Sequence, residues 1–273
     1  PPPPPPTPPL SLHDALPISI FIHGDVHSEI FLNRLRLHLA ERVVVATEDD
    51  FFNLDVASRV LDRAPHLGQG IIIHVGDLAL LRAVQASRVA RECTIFNTYS
   101  VAATHLVQSE LLQWFQHTVE DDIVILGGFG RFGQTVLREL QEHAGERFNK
   151  VIIIDQEVEE RAAIFAEQVG FDESAYQHFL VSGDLASPAV WREIEGRFEL
   201  TTHTPAFVLG SSNDGSNIRT ALQLVSTYQE TRAFVRISDN SSFAEDLARD
   251  TGLRIISMSD LISTSMPSSW FGT

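Results

Sequence analysis

Residues 123–133 read IVILGGFGRFG. An apolar run opens into Gly128-x-Gly130-x-x-Gly133, the order of a strand, a tight phosphate-binding turn and a helix N-terminus. The three glycines have separate physical tasks. Gly128 permits the tight turn out of the strand, Gly130 has no Cβ to block a pyrophosphate, and Gly133 lets the helix pack closely. The helix start offers unpaired N–H groups and a partial positive charge. Arg131 adds a charge-assisted contact, and Phe129 and Phe132 complete the turn. Asp155 ends the next apolar run 22 residues after Gly133, with Gln156 following it. A carboxylate there takes adenosine-ribose hydroxyls and repels a 2′-phosphate. The expected ligand is therefore NAD(H) first, then ATP, ADP or AMP, with NADP(H) disfavoured. The bland alternative is a degenerate turn that no longer binds.

From this turn onward, apolar runs recur at 123–126, 151–154, 179–181, 206–209, 233–237 and 254–257. Helical spacing lies between them, as in Phe132, Val136, Leu137 and Leu140, or Ile218, Leu222 and Val225. Strands apolar on both faces and alternating with helices predict a parallel sheet covered on both sides. Six such strands with the glycine turn after the first predict a complete Rossmann-type domain over 122–273. In open α/β sheets ligands sit at the carboxyl ends of strands. Gly183 and Asp184 after the third strand, and Gly210, Ser211 and Ser212 after the fourth, join the candidate site on that basis.

The preceding residues repeat the later part of that domain. SIFIHGDVHSE (19–29) matches HFLVSGDLASP (178–188), and VVVATEDDFFNLDVA (43–57) matches FVLGSSNDGSNIRTA (207–221). GIIIHVGD (70–77) matches RAFVRISD (232–239), and TIFNTYSVAA (94–103) matches RIISMSDLIS (254–263). The offsets drift only from 159, Gly24 to Gly183, to 164, Asn53 to Asn217, as loop-length changes would produce. The fold class predicted is α/β, with tandem Rossmann-like doubly wound parallel sheets. The first copy, 20–103, is truncated to its C-terminal half, and a linking helix over 104–121 leads to the second. Leu106, Leu111, Leu112 and Phe115 are its expected buried face. The first copy lacks the glycine turn and is not expected to bind a dinucleotide. Its residues corresponding to the candidate site are Gly24, Asp25, Ala46, Thr47 and Glu48.

Composition narrows the function classes. The formal charge of −16 argues against nucleic acid, which needs clustered Lys and Arg. No apolar stretch approaches the ~18–20 residues of a membrane span. The single cysteine, Cys93, precludes an internal disulfide, fits a cytoplasmic setting and reads as a small buried hydrophobe. The single lysine, Lys150, leads straight into an apolar strand, with no tyrosine four residues before it, which argues against lysine-dependent catalysis. His23 and His27 would not share a helical face as paired metal ligands do. The clusters Glu48–Asp50 and Glu120–Asp122 read as solvated turns and helix starts rather than calcium sites. No catalytic or metal-ligating set is assigned. Residues 1–19 hold nine of the thirteen prolines, and LHDALPI resembles a translated library adaptor. The segment is read as non-native, the alternative being a Pro-rich SH3-type ligand.

The combined pattern resembles the RCK, or TrkA-N, family of regulators of potassium conductance. IVILGGFGRFG, IIID (152–155), VSGD (181–184) and the strand-and-Asn pattern of 206–217 carry the resemblance. IHGD and VVVATEDDFFNL add to it from the first copy. It implies a cytosolic ligand-sensing module, self-associating into dimers or rings, for a potassium channel or Trk-type transporter membrane subunit, and not an enzyme. The chain departs from the family in placing no TrkA-C domain between the copies, and in GSSNDG after the fourth strand. Two alternatives stand beside this reading. One is an NAD-dependent oxidoreductase, which needs a substrate domain and an acid–base group. The other is a pairing domain that has lost its ligand.

Overall fold

The computed structural model describes residues 24–26, 28–118, 122–145, 147–228 and 231–265. The Pro-rich segment, the opening SIFI of the first repeated stretch, His23, His27, Glu120 and Asp121 lie outside them. The described residues divide into two units between Leu39 and Ala40. The first contains a short helix, α1 (Glu29–Arg34), whose Leu32 is buried. Everything that follows concerns the second.

That unit holds two parallel sheets. The smaller is β1 (Val43–Val45), β2 (Ile71–His74) and β3 (Thr94–Phe96), in that spatial order. Helices α2 (Asp50–Arg63), α3 (Leu78–Ala83) and α4 (Arg88–Glu92) connect these strands. The larger comprises β4 (Asp122–Gly127), β5 (Phe148–Asp155), β6 (Gln177–Ser182), β7 (Ala206–Leu209), β8 (Arg232–Ile237) and β9 (Arg254–Ser257). Its order, β6-β5-β4-β7-β8-β9, is that of a doubly wound Rossmann sheet with the switch point between β4 and β7. Helices α7 (Arg131–Ala144), α8 (Val158–Gln168), α9 (Pro188–Phe198), α10 (Asp214–Thr227) and α11 (Ser242–Thr251) form its crossovers, and α12 (Met258–Ser265) follows β9.

The apolar runs become strands because both faces are covered. Ile123 and Ile125 join one core, with Phe207 and Val235, while Val124 and Leu126 join the other, with Val136 and Leu140. Phe132, Val136, Leu137 and Leu140 bury the inner face of α7 as their spacing predicts. On α10 the expected stripe is only half-buried. Asn217, Thr220, Ala221 and Leu224 face inward instead, because the buried polar side chains find partners there.

Between the sheets one helical rod runs from α5 (Thr98–His105) through a π-type turn at Leu106–Leu111 into α6 (Leu112–Phe115). Leu106, Val107 and Leu111 are all fully buried along it. Among the described residues no helix is long and apolar enough to cross a membrane. Cys93 is buried, and that burial pushes its thiol up to about 11.

Two acidic positions correct the reading of solvated turns. Asp122 is buried at the start of β4, accepting hydrogen bonds from Thr118 Oγ1 and Thr204 Oγ1. Asp50 is buried too, and its oxygens accept the N–H groups of Gly76 (2.9 Å) and Asp77 (2.8 Å). Asp49 does cap a helix as expected, accepting the N–H of Phe52 at 2.9 Å.

Candidate functional site

The carboxyl ends of β4 to β7 diverge around a cleft of about 490 Å³. Its floor begins where β4 turns into α7. Gly128 adopts φ +97°, and a Cβ there would lie 2.7 Å from the Ser211 backbone nitrogen, so only glycine fits. A Cβ on Gly133 would stand 2.2 Å from the Gly128 carbonyl oxygen. Gly133 therefore closes the turn on itself. Phe129 likewise points away from the cleft, into the core against Phe165. All the other sequence-predicted residues line the cleft: Gly128, Gly130, Arg131 and Phe132 from the turn, Asp155 and Gln156 from β5, Gly183 and Asp184 from β6, and Gly210, Ser211 and Ser212 from β7.

Asp155 ties two of these parts together. Its Oδ2 accepts the Phe129 N–H at 2.7 Å, and its Oδ1 accepts the Glu157 N–H at 3.0 Å. The opening N–H groups of α7 have no preceding intrahelical carbonyl and point their dipole at the cleft. A second cation enters here that sequence reasoning missed. Arg161, one turn into α8, donates to Asp155 Oδ2 at 2.9 Å and to Glu157 Oε2 at 2.7 Å. Its Nη1 lies 3.3 Å from where a Gly130 Cβ would be. The cleft carboxylate is thus charge-neutralised by its own chain. The i, i+4 pair with Glu157 was visible in the sequence, but its overlap with Asp155 was not.

The β7 wall is set by Asn217. Its Nδ2 donates to the carbonyls of Ser211 and Arg236, both at 3.0 Å. Its Oδ1 accepts Ser211 N at 3.1 Å and Ser211 Oγ at 2.6 Å. Arg236 donates to the Ser211 carbonyl at 3.1 Å and also lines the cleft. Tyr99, on α5 of the first copy, reaches the same cleft, which no local motif announces. Lys150 sits at the opposite, amino-terminal part of β5, beside Phe198.

Comparison with known proteins agrees with this architecture. The TrkA-N domain family model matches residues 123–258, and that part of the chain belongs to the TrkA-N family. No curated protein matches the sequence. Among solved structures, GsuK bound to ADP is similar at 18% identity and TM-score 0.60, over 90% of this chain and 55% of that one. The GsuK RCK domain is similar at 14% identity and TM-score 0.62, over 90% and 65%. The GsuK channel bound to NAD is similar at 14% identity and TM-score 0.61, over 92% and 55%. The chain thus spans little more than half the length of most of these relatives.

Proposed function

We propose that the cleft at the carboxyl ends of β4 to β7 binds an adenine nucleotide, NAD(H) first and ATP, ADP or AMP next. The chain is then a regulatory module of a potassium channel or Trk-type transporter, working at the cytoplasmic face and self-associating as dimers or rings. Its parts are a half-domain over 20–103, a linking helix over 104–121 and the binding domain over 122–273. The observation that carries this reading is the bond from the Phe129 N–H to Asp155, which joins the ribose-type carboxylate to the phosphate-type turn. Family membership supports it, as do the similar GsuK structures holding ADP and NAD. A ligand of this kind controls a pore only by binding one arrangement of the module more tightly than another.

Arg161 qualifies the ribose argument. Asp155 Oδ2 already accepts from the Phe129 N–H and from Arg161, so a ribose hydroxyl that bonds this oxygen must displace the guanidinium, and while it stays the carboxylate repels a 2′-phosphate less. The test is thermal unfolding with NAD⁺, NADH, NADP⁺, ATP, ADP and AMP, since a ligand of the folded state raises the midpoint by mass action. Asp155→Ala is expected to weaken the bound nucleotide by at least about tenfold, the scale of a lost charged hydrogen bond. Unchanged affinity sinks the assignment. NADH consumption with a small carbonyl substrate would move the chain to the oxidoreductases, and no midpoint shift with any nucleotide would leave a pairing domain.

A further inference from the structure

Arg131 is the wall between two hollows. On one side is the cleft just described. On the other is an acidic hollow of about 460 Å³, built by the first copy from Glu48, Asp49, Asp50 and Asp77. Arg131 is the residue the two share. Its Nη2 stands 3.7 Å from Asp50 Oδ2, while nearly half of the Arg131 side chain remains exposed. Asp50 cannot follow if the guanidinium moves, because its two oxygens are fixed by the Gly76 and Asp77 N–H groups. Asp49 and Asp77 are engaged as helix caps, by Phe52 N and Leu80 N. His74 Nδ1 lies 3.9 Å from Asp50, and burial holds its imidazole below the usual range, so among the described residues Arg131 is the side chain that supplies Asp50 with a full positive charge near neutral pH.

We propose that Asp50 of the first copy is a built-in competitor of the nucleotide's phosphates for Arg131. The proposal rests on the nucleotide reading above. A phosphate at the start of α7 lies on the cleft side of Arg131 and draws its guanidinium away from Asp50. Separating a cation from a buried carboxylate has a cost, and that cost is subtracted from the affinity. The first copy therefore sets how tightly the second copy binds, although it supplies no phosphate-binding turn among its described residues. The subtraction applies to ligands whose phosphates engage Arg131 and not to the bare nucleoside. Asp50 is a positioning residue that discriminates by phosphate content.

The test compares adenosine and ADP by titration calorimetry on the full chain, in the parent, Asp50→Asn, Arg131→Gln and the double variant. Asp50→Asn is expected to tighten ADP by at least about threefold, the scale of a half-exposed ion pair, and to leave adenosine unchanged. In the Arg131→Gln background, Asp50→Asn should no longer change ADP affinity. If Asp50→Asn does not fold, Gly76→Ala serves, read in the parent and in the Arg131→Gln background, because its Cβ would press on Arg131 Nη1 and on Tyr99 Cε2, each at 3.2 Å, while Asp50 stays intact, and only the Arg131 part is lost in that background. It should tighten ADP in the same sense by a smaller factor. ADP affinity that is unchanged or weaker in the folded variants overturns the proposal, as does a gain that persists without Arg131. A parent that binds neither ADP nor NAD⁺ overturns the nucleotide reading first, and the competitor role with it.

Discussion

The two copies share a skeleton and differ in what hangs on it. Asn53 repeats the bonds of Asn217 atom for atom. Its Nδ2 donates to the carbonyls of Thr47 and His74 at 3.0 Å, and its Oδ1 accepts Thr47 N at 2.9 Å and Thr47 Oγ1 at 2.7 Å. Asp50 and Asp214 match as well, each accepting backbone N–H from the start of the loop after the neighbouring strand. Around this buried amide the exposed chemistry diverges. Where the second copy places Ser212, Asn213 and Arg236, the first has Glu48, Asp49 and His74. The first side has become an acidic wall and the second a nucleotide-type cleft. Buried amides with four satisfied bonds tolerate little change, whereas loop residues facing solvent are free to take up new roles.

That likeness is open to breaking. Asn53→Ala and Asn217→Ala each leave buried carbonyls and N–H groups without partners. Each should cost about 2–4 kcal/mol in urea unfolding, by similar amounts. A near-neutral Asn53→Ala would show that the first copy holds together by other means. Gly128→Ala strikes only the second copy. With φ at +97° and backbone 2.7 Å from the new methyl, it should cost about 1–3 kcal/mol and lower nucleotide affinity together.

Subtler differences sharpen the contrast. Arg161→Ala frees Asp155 from its own cation, and the ratio of NAD⁺ to NADP⁺ affinity should then rise about fivefold by titration. An unchanged ratio would mean that Arg161 already stands aside in the bound form. The smallest effect concerns His74, which matches the permanently charged Arg236. Burial lowers the His74 pKa from 6.5, outweighing the pull of Asp50. The unfolded chain then binds more protons below that value, so stability present at higher pH is lost as pH falls through 6.5 toward the folded pKa. The melting midpoint should fall between about pH 7.5 and 5.5, and His74→Gln should remove a part of that fall worth under about 1 kcal/mol.

Most of the framework was legible because it is local or periodic. Every strand of the larger sheet falls on its apolar run, and 206–209 and 254–257 coincide with β7 and β9 at both ends. The repeat was legible because Asn53 and Asn217 stand at equal distances from their strands. What escaped reading depends on encounters between distant segments. Tyr99 reaches the cleft only because α5 packs against α7. Arg161 reaches Asp155 because α8 folds back over the end of β5, and Asp50 looks like one acid of three until its two backbone donors are seen. The face of the linking helix was right in Leu106, Leu111 and Phe115, while Leu112 is only half-buried and the buried Val107 was missed.

The π-type turn gives the linking rod a phase. A helix advances about 100° per residue, so one residue more or less within Leu106–Leu111 would rotate everything before it relative to everything after. Tyr99 and Phe115 sit on opposite sides of that point, one at the cleft and the other in the core beside Phe148. The turn works as an angular setting in the chain, and the direction in which the first copy faces the second is written in the number of residues it contains.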